Sequence, residues 1–224
     1  MLMVQRSPLQ FLIICSLAAA SACGPAPTQV LPQVVKVSAT SAAYPSMKNV
    51  YGCAPSSIAV SLSDPASADI SIRLGEPDSL RTPAFQIGTD EILVVVNPQL
   101  GISTLTVDQV RDLFTGQKTS WMDVGGKDMP VQVWAYASGE DVQNIFVGVD
   151  LAGSLVTSQA RLAGSVQNMS DSVAQNPGSI GFLPAHWKSS DTQTVFGGVS
   201  VPILAITKLQ PQGAVKELLA CLQK

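Results

Sequence analysis

Apolar positions along the chain change period several times, and each change marks an element. VVKVS (34–38) alternates apolar and polar positions and predicts a strand. ATSAAYPSM (39–47) follows, where Pro45 suits a first helical turn and small hydroxyl residues stand upstream to cap it. SSIAVSLS (56–63) and ADISIRL (68–74) return to a period of two and read as strands. EILVVVNP (91–98) is apolar without interruption until Asn-Pro stops it, the pattern of a strand buried on both faces and typical of a parallel sheet. LTVDQVRDLFTG (105–116) switches to helical spacing. Thr106 and Gln109 stand at capping-box distance, Val107, Val110 and the Leu113–Phe114 pair form one stripe, and Gly116 closes it.

VQVWAY (131–136) is a further strand, whose alternation puts Trp134 and Tyr136 on one face and Val131, Val133 and Ala135 on the other. GEDVQNIFVGV (139–149) opens a helix with acids in its first turn, and SDSVAQNPGSIGFLP (170–184) gives a short helix, a turn and a short strand. TQTVFGG (192–198) and VSVPILAITK (199–208) predict two strands, and PQGAVKELLACLQ (211–223) a last helix starting near Pro211. Strands and helices alternate, so the fold class is α/β.

The N-terminus changes the picture by setting a compartment. Arg6 precedes the apolar run FLIICSLAAA (11–20) and then SAC (21–23), the layout of a secretory signal. The run is short of the roughly 20 residues a membrane-spanning helix needs. Cys23, preceded by Ala20, Ser21 and Ala22 and followed by Gly24, resembles a bacterial lipobox cysteine, which is lipidated and becomes the first residue. The alternative is an ordinary signal with a chance cysteine. The expected layout is a signal peptide over 1–22 and a tether over 23–33, with three prolines in GPAPTQVLPQ, holding the protein by lipid outside the cytoplasmic membrane. Loss of 1–22 removes Arg6 and no acid, which moves the net charge from −3 to about −4. No basic block is present, which argues against nucleic acid as a partner. Cys15 leaves with the signal and Cys23 carries lipid. Cys53 and Cys221 remain as an even pair in an oxidising place, so a disulfide is expected, the alternative being two buried free thiols.

LTVDQVRDLFTGQKTSWMDVGG (105–126), with EILVVVNP before it and SVAQNPGSIGF (172–182) after it, resembles in order three blocks of phosphate-binding-type solute receptors. The resemblance implies a periplasmic-binding-protein-like (type II) fold: two α/β lobes with a ligand cleft between them. It assigns 28–92 and 189–224 to lobe one and 93–188 to lobe two, which would bring Cys221 near Cys53. It also implies where ligand is held. The family's turn after the first strand reads G-S-T-S before a proline. Here it is Ala39-Thr40-Ser41-Ala42 with Pro45 following, so Thr40 and Ser41 are ligand donors or merely helix caps. In the second loop Ala68-Asp69-Ile70 is followed by Ser71 and Arg73, and Arg73 pairs with an anion or forms an exposed salt bridge.

The third loop departs from the family. Its pattern R-x-x-G-S-G-T-x-x-x-F, counted back from Phe146, places Tyr136 at the arginine and Gly139-Glu140-Asp141-Val142 at Gly-Ser-Gly-Thr. Ser138, Gly139 and Glu140 are the ligand-binding candidates there. Two carboxylates beside a bound dianion would repel it, by several kcal/mol in a partly dry cleft. At a helix N-terminus they instead contribute about 0.3–1 kcal/mol each. Either the cleft has turned toward a cationic or polyhydroxylated solute, with Trp134 and Tyr136 as an aromatic wall, or the acids only start a helix and the aromatics are core.

His186 is a lone histidine, read as a surface or capping residue, and no triad, zinc cluster, nucleotide loop or calcium loop can be assembled. The chain is therefore expected to be no enzyme and to use no cofactor or metal. The function implied is that of a monomeric, lipid-anchored extracytoplasmic receptor binding a small solute, phosphate or another oxyanion by family, for an ABC permease. The alternative is a non-transport sensor or scaffold with a degenerate cleft.

Overall fold

The computed structural model describes residues 31–77 and 79–224. The signal segment 1–22, Cys23 and tether residues 24–30 lie outside the described residues, and so does the lipidation expected at Cys23. In chain order the elements are β1 (Gln33–Ala39), α1 (Met47–Cys53), β2 (Ile58–Leu62), β3 (Ile70–Leu74), β4 (Ala84–Val96), α2 (Val107–Thr115), β5 (Gln132–Ala135), α3 (Asp141–Ile145), β6 (Arg161–Leu162), α4 (Val166–Gln175), β7 (Ser179–Pro184), β8 (Gln193–Thr207) and α5 (Gly213–Leu222). The class is α/β, with strands in the order β2-β1-β3-β8-β4-β7-β5-β6.

Two long antiparallel strands, β4 and β8, organise this sheet. From Ala84 to Glu91 strand β4 pairs only with β8, and from Ile92 to Val96 it pairs with β7 as well. β8 takes β3 as its other neighbour from Ile203 to Thr207. β1, β2 and β3 thus gather at one end of the long pair and β7, β5 and β6 at the other. The run Ile92–Val96 is buried throughout, as its apolar pattern requires. Both its neighbours are antiparallel, however, not parallel as the pattern suggests. Cover on both faces makes a strand apolar throughout, whichever way its neighbours run.

β8 is one strand where the sequence predicts two. Gly197-Gly198 reads as punctuation but forms a bulge, with Leu93 opposite Gly197 and Glu91 opposite Ser200. A Cβ on Gly198 would stand 2.6 Å from the Ile92 carbonyl oxygen, so the backbones there approach as only glycine allows.

The helices follow their local signals more closely. Thr106 and Gln109 form the reciprocal capping box of α2, and Gly116 ends it in a left-handed conformation. α1 is entered through a single 3-10 turn at Tyr44–Ser46 that carries Pro45, but the upstream hydroxyls do not cap it. α3 continues into a π-helical turn at Phe146–Asp150. Cys53 at the end of α1 is bonded to Cys221 in α5, with the Cα atoms 5.7 Å apart and 168 residues between them in sequence. His186 is exposed, as expected, and its Nδ1 lies 2.7 Å from the carboxylate of buried Asp90 in β4.

Candidate functional site

β1 and β5 are five strand positions apart, about 24 Å at the usual spacing in a flat sheet. The loops at their ends nevertheless touch. The β4–β8 pair between them carries register shifts at Gln86/Gly88, Glu91/Leu93 and Val94/Val95, and such bulges twist and kink a ladder. Three loops meet: Thr40-Ser41 after β1, Leu74-Gly75 at the end of β3, and Gly139-Glu140 leading into α3.

Asp141 lies at the centre of this meeting. Its Oδ2 accepts from the Thr40 hydroxyl at 2.6 Å and from the Leu74 amide at 2.9 Å. Its Oδ1 accepts from the Val142 amide at 2.9 Å. The residue is 2% exposed, so a buried carboxylate has both oxygens satisfied. Beside it, Ser41 donates to Glu140 at 3.3 Å, at the exposed rim. Gly75 makes the close approach workable. Its φ is +63°, and a Cβ would meet Ile145 of α3 at 2.9 Å, so the turn after β3 lies directly on the helix. Trp187, in a 3-10 turn at Ala185–Trp187 between β7 and β8, donates its indole N–H to the Ala42 carbonyl at 3.0 Å.

Three of the six candidate residues line two cavities, and Thr40, Ser41 and Glu140 border neither of these. Arg73 and Gly139 line a polar cavity of about 340 Å³ that also borders Asp141, Glu76 and Asn144. The Arg73 Nε donates to the Leu74 carbonyl at 3.4 Å, and among the described residues its guanidinium makes no ion pair. Ser138 faces the other way. It borders a second cavity of about 450 Å³ with Tyr136, Val147, Leu155 and Leu162, and it is not brought to the meeting of the three loops.

Tyr136 is not a ligand wall at that meeting. It is 4% exposed, donates its hydroxyl to the Phe182 carbonyl at 3.0 Å and packs edge-on against the Phe182 ring. Burial, with the charges of Glu140 and Asp141, holds its phenol protonated far above the ordinary range. Trp134 is half-buried, donates to Ser179 Oγ at 3.0 Å and has the Arg161 guanidinium over its ring. It too belongs to the packing of β5 rather than to the loops.

Sequence reasoning put Glu140 among the ligand residues, weighed Asp141 only as the acid beside it, and left out Leu74. The signal for Asp141 was present, since it stands where the resemblance expects a glycine. No local pattern marks the Leu74 amide. Asp150, at the end of the π-helical turn, is 6% exposed, and its Oδ2 has no hydrogen-bond partner. Burial raises its carboxyl to about 6, while the Arg111 charge pulls the other way.

A sheet spanned by two long central strands, with loops from its two ends meeting beside a polar cavity, is the architecture of the periplasmic-binding-protein fold. The chain belongs to the PBP superfamily, whose domain model matches residues 59–219. It is similar to the phosphate-binding protein PstS of Bacillus subtilis (strain 168), at 25% identity over 109 residues, which is 49% of this chain and 36% of that protein. The match therefore spans little more than a third of that relative's length. Among solved structures it resembles a phosphate ABC transporter substrate-binding protein with bound phosphate from Clostridium perfringens, with TM-score 0.75, 17% identity, and coverage of 85% of this chain and 93% of that one. An ABC-type phosphate transport receptor from Vibrio cholerae gives TM-score 0.65 at 18% identity, over 86% of this chain and 94% of that one. The fold is that of a phosphate-binding-type periplasmic binding protein.

Proposed function

We propose that this protein is an extracytoplasmic, lipid-anchored binding protein of the phosphate-receptor type whose cleft does not capture free phosphate, and that it acts as a sensor or scaffold subunit without enzymatic activity. The observation that carries this reading is the Asp141 carboxylate, which takes the Thr40 hydroxyl and the Leu74 amide for itself. A phosphate at the same donors would have to displace a buried carboxylate or lie against it, at a cost of several kcal/mol in a partly dry cleft. The change of neighbours in β4 between Glu91 and Ile92 supports a lobe boundary near residue 92, while the pairing of Gln193–Gly197 with Leu93–Val96 favours a return crossing near residue 198 rather than at 189.

A second reading has its own support. The cavity of about 340 Å³ beside Asp141, with Arg73 on its wall, has room for a small solute other than phosphate, which a receptor would hand to an ABC permease. One experiment separates the two. Residues 24–224, without lipid, are melted against phosphate, sulfate, molybdate, amino acids, polyamines and sugars. A ligand at 100 times its Kd adds about 2.7 kcal/mol and shifts the melt clearly. The expected result is no shift with phosphate at millimolar concentration. A phosphate shift would overturn the reading, and a shift with another solute alone would move the function to transport of that solute.

A further inference from the structure

We propose that Asp141 is a built-in ligand: its carboxylate occupies an oxyanion place between the loops and clasps the cleft shut, and removing it uncovers a site for a free tetrahedral oxyanion. This rests on the reading above and adds a mechanical role to it.

Three side-chain contacts with hydroxyl or amide donors join the 139–142 segment to the loops after β1 and β3. They are Thr40 to Asp141, Leu74 to Asp141, and Ser41 to Glu140. All three end on two adjacent acids, and the two buried ones end on a single oxygen of Asp141. Asp141 is 2% exposed with both oxygens in use, so the donors it holds are not free for another anion. The donors come from segments 101 and 67 residues away in sequence, so the carboxylate bridges parts of the fold that have no local reason to meet. A carboxylate presents two oxygens to converging donors, as one edge of a phosphate or sulfate does. When the carboxylate is deleted, the Thr40 hydroxyl and Leu74 amide lose their acceptor inside a partly buried junction. Either the junction opens to water or an oxyanion enters, and unpaired buried donors drive both outcomes.

The test compares wild type, Asp141→Gly and the double variant Asp141→Gly/Thr40→Val by calorimetric titration with inorganic phosphate and with sulfate. Small-angle scattering is measured before and after titration. Near-UV circular dichroism checks that each variant is folded, and Asp141→Ser takes the place of Asp141→Gly if the latter is not. Wild type is expected to give no binding heat. Asp141→Gly is expected to bind one of the two anions, to have a larger radius of gyration than wild type when empty, and to contract on binding. Loss of the Thr40 hydroxyl in that background is expected to weaken binding about tenfold or more, as for a hydrogen bond to a charged group. A folded variant that ignores both anions and keeps the wild-type radius would overturn the clasp and leave the proposed function standing. Phosphate binding by wild type would overturn the proposed function. Equal affinity with and without the Thr40 hydroxyl would place any anion outside this junction and overturn the clasp.

Discussion

Two aspartates at the ends of one short helical stretch show how environment decides what a buried carboxylate does. Asp141 and Asp150 are both nearly inaccessible, at 2% and 6% exposure. Asp141 is fully hydrogen-bonded and holds loops together. Asp150 has an unpartnered Oδ2 and lies against Gly198, whose Cβ, if present, would be 3.1 Å from that oxygen. Its carboxyl is raised from 3.8 to about 6, chiefly by burial. A group with a raised folded-state pKa gives its full contribution to stability below the unfolded value, here 3.8, and loses it as pH rises through the folded value, near 6. Above pH 6 the ionised group therefore weakens the fold, by up to about 3 kcal/mol for a shift of this size. Asp150→Asn is expected to raise stability at pH 8 by about 1–3 kcal/mol and to change it little at pH 4. Urea titrations at the two pH values measure this, and an equal change at both would remove titration as the cause.

At the scale of elements, what the sequence made legible was local and what it hid was pairing. The α2 helix could be read residue by residue, because the capping box, the apolar stripe and the closing glycine all act within a few residues. β8 was misread as two strands because Gly197-Gly198 carries the ordinary mark of a turn, and only the opposing Ile92 carbonyl makes it a bulge. The first half of β4 was missed for a related reason. From Ala84 to Glu91 it has one neighbour, its faces are half covered, and its apolar pattern is weak. The two-residue β6 carries no periodic signal at all. The bulge can be tested directly. Gly198→Ala is expected to lose about 1–3 kcal/mol, since the new methyl meets backbone that cannot rotate away. Gly52→Ala is the control: it lies within α1 with open space around it, and a gain of up to about 1 kcal/mol is expected from helix propensity. Chemical denaturation of the pair settles the matter, and equal stabilities would mean that the bulge relaxes freely.

For the whole molecule, the contacts that matter most join residues far apart in the chain, and these are the ones that no window of sequence contains. Thr40 and Asp141 are 101 residues apart, and Cys53 and Cys221 are 168 apart. Counting cysteines was enough to suggest the second pair, because only two remain once Cys15 and Cys23 are set aside for the expected signal and lipid site. For Asp141 the sequence offered only its place at a glycine of the family pattern, which marks a departure but not a direction, and only the fold turns Asp141 inward and leaves Glu140 at the rim. The disulfide ties α1 to α5 and so links the beginning and end of the described fold. Its main effect falls on the unfolded chain, where it forbids the two ends from separating. Loss of so long a closed loop is expected to cost about 2–5 kcal/mol. The Cys53→Ser/Cys221→Ser variant should therefore melt at a lower temperature than the oxidised protein. It should also unfold with a steeper dependence on denaturant, because an unconstrained chain exposes more surface. Fully reduced wild type should match the variant in both respects. If the variant lost stability with an unchanged slope, the loss would lie in packing between α1 and α5 rather than in the freedom of the unfolded chain.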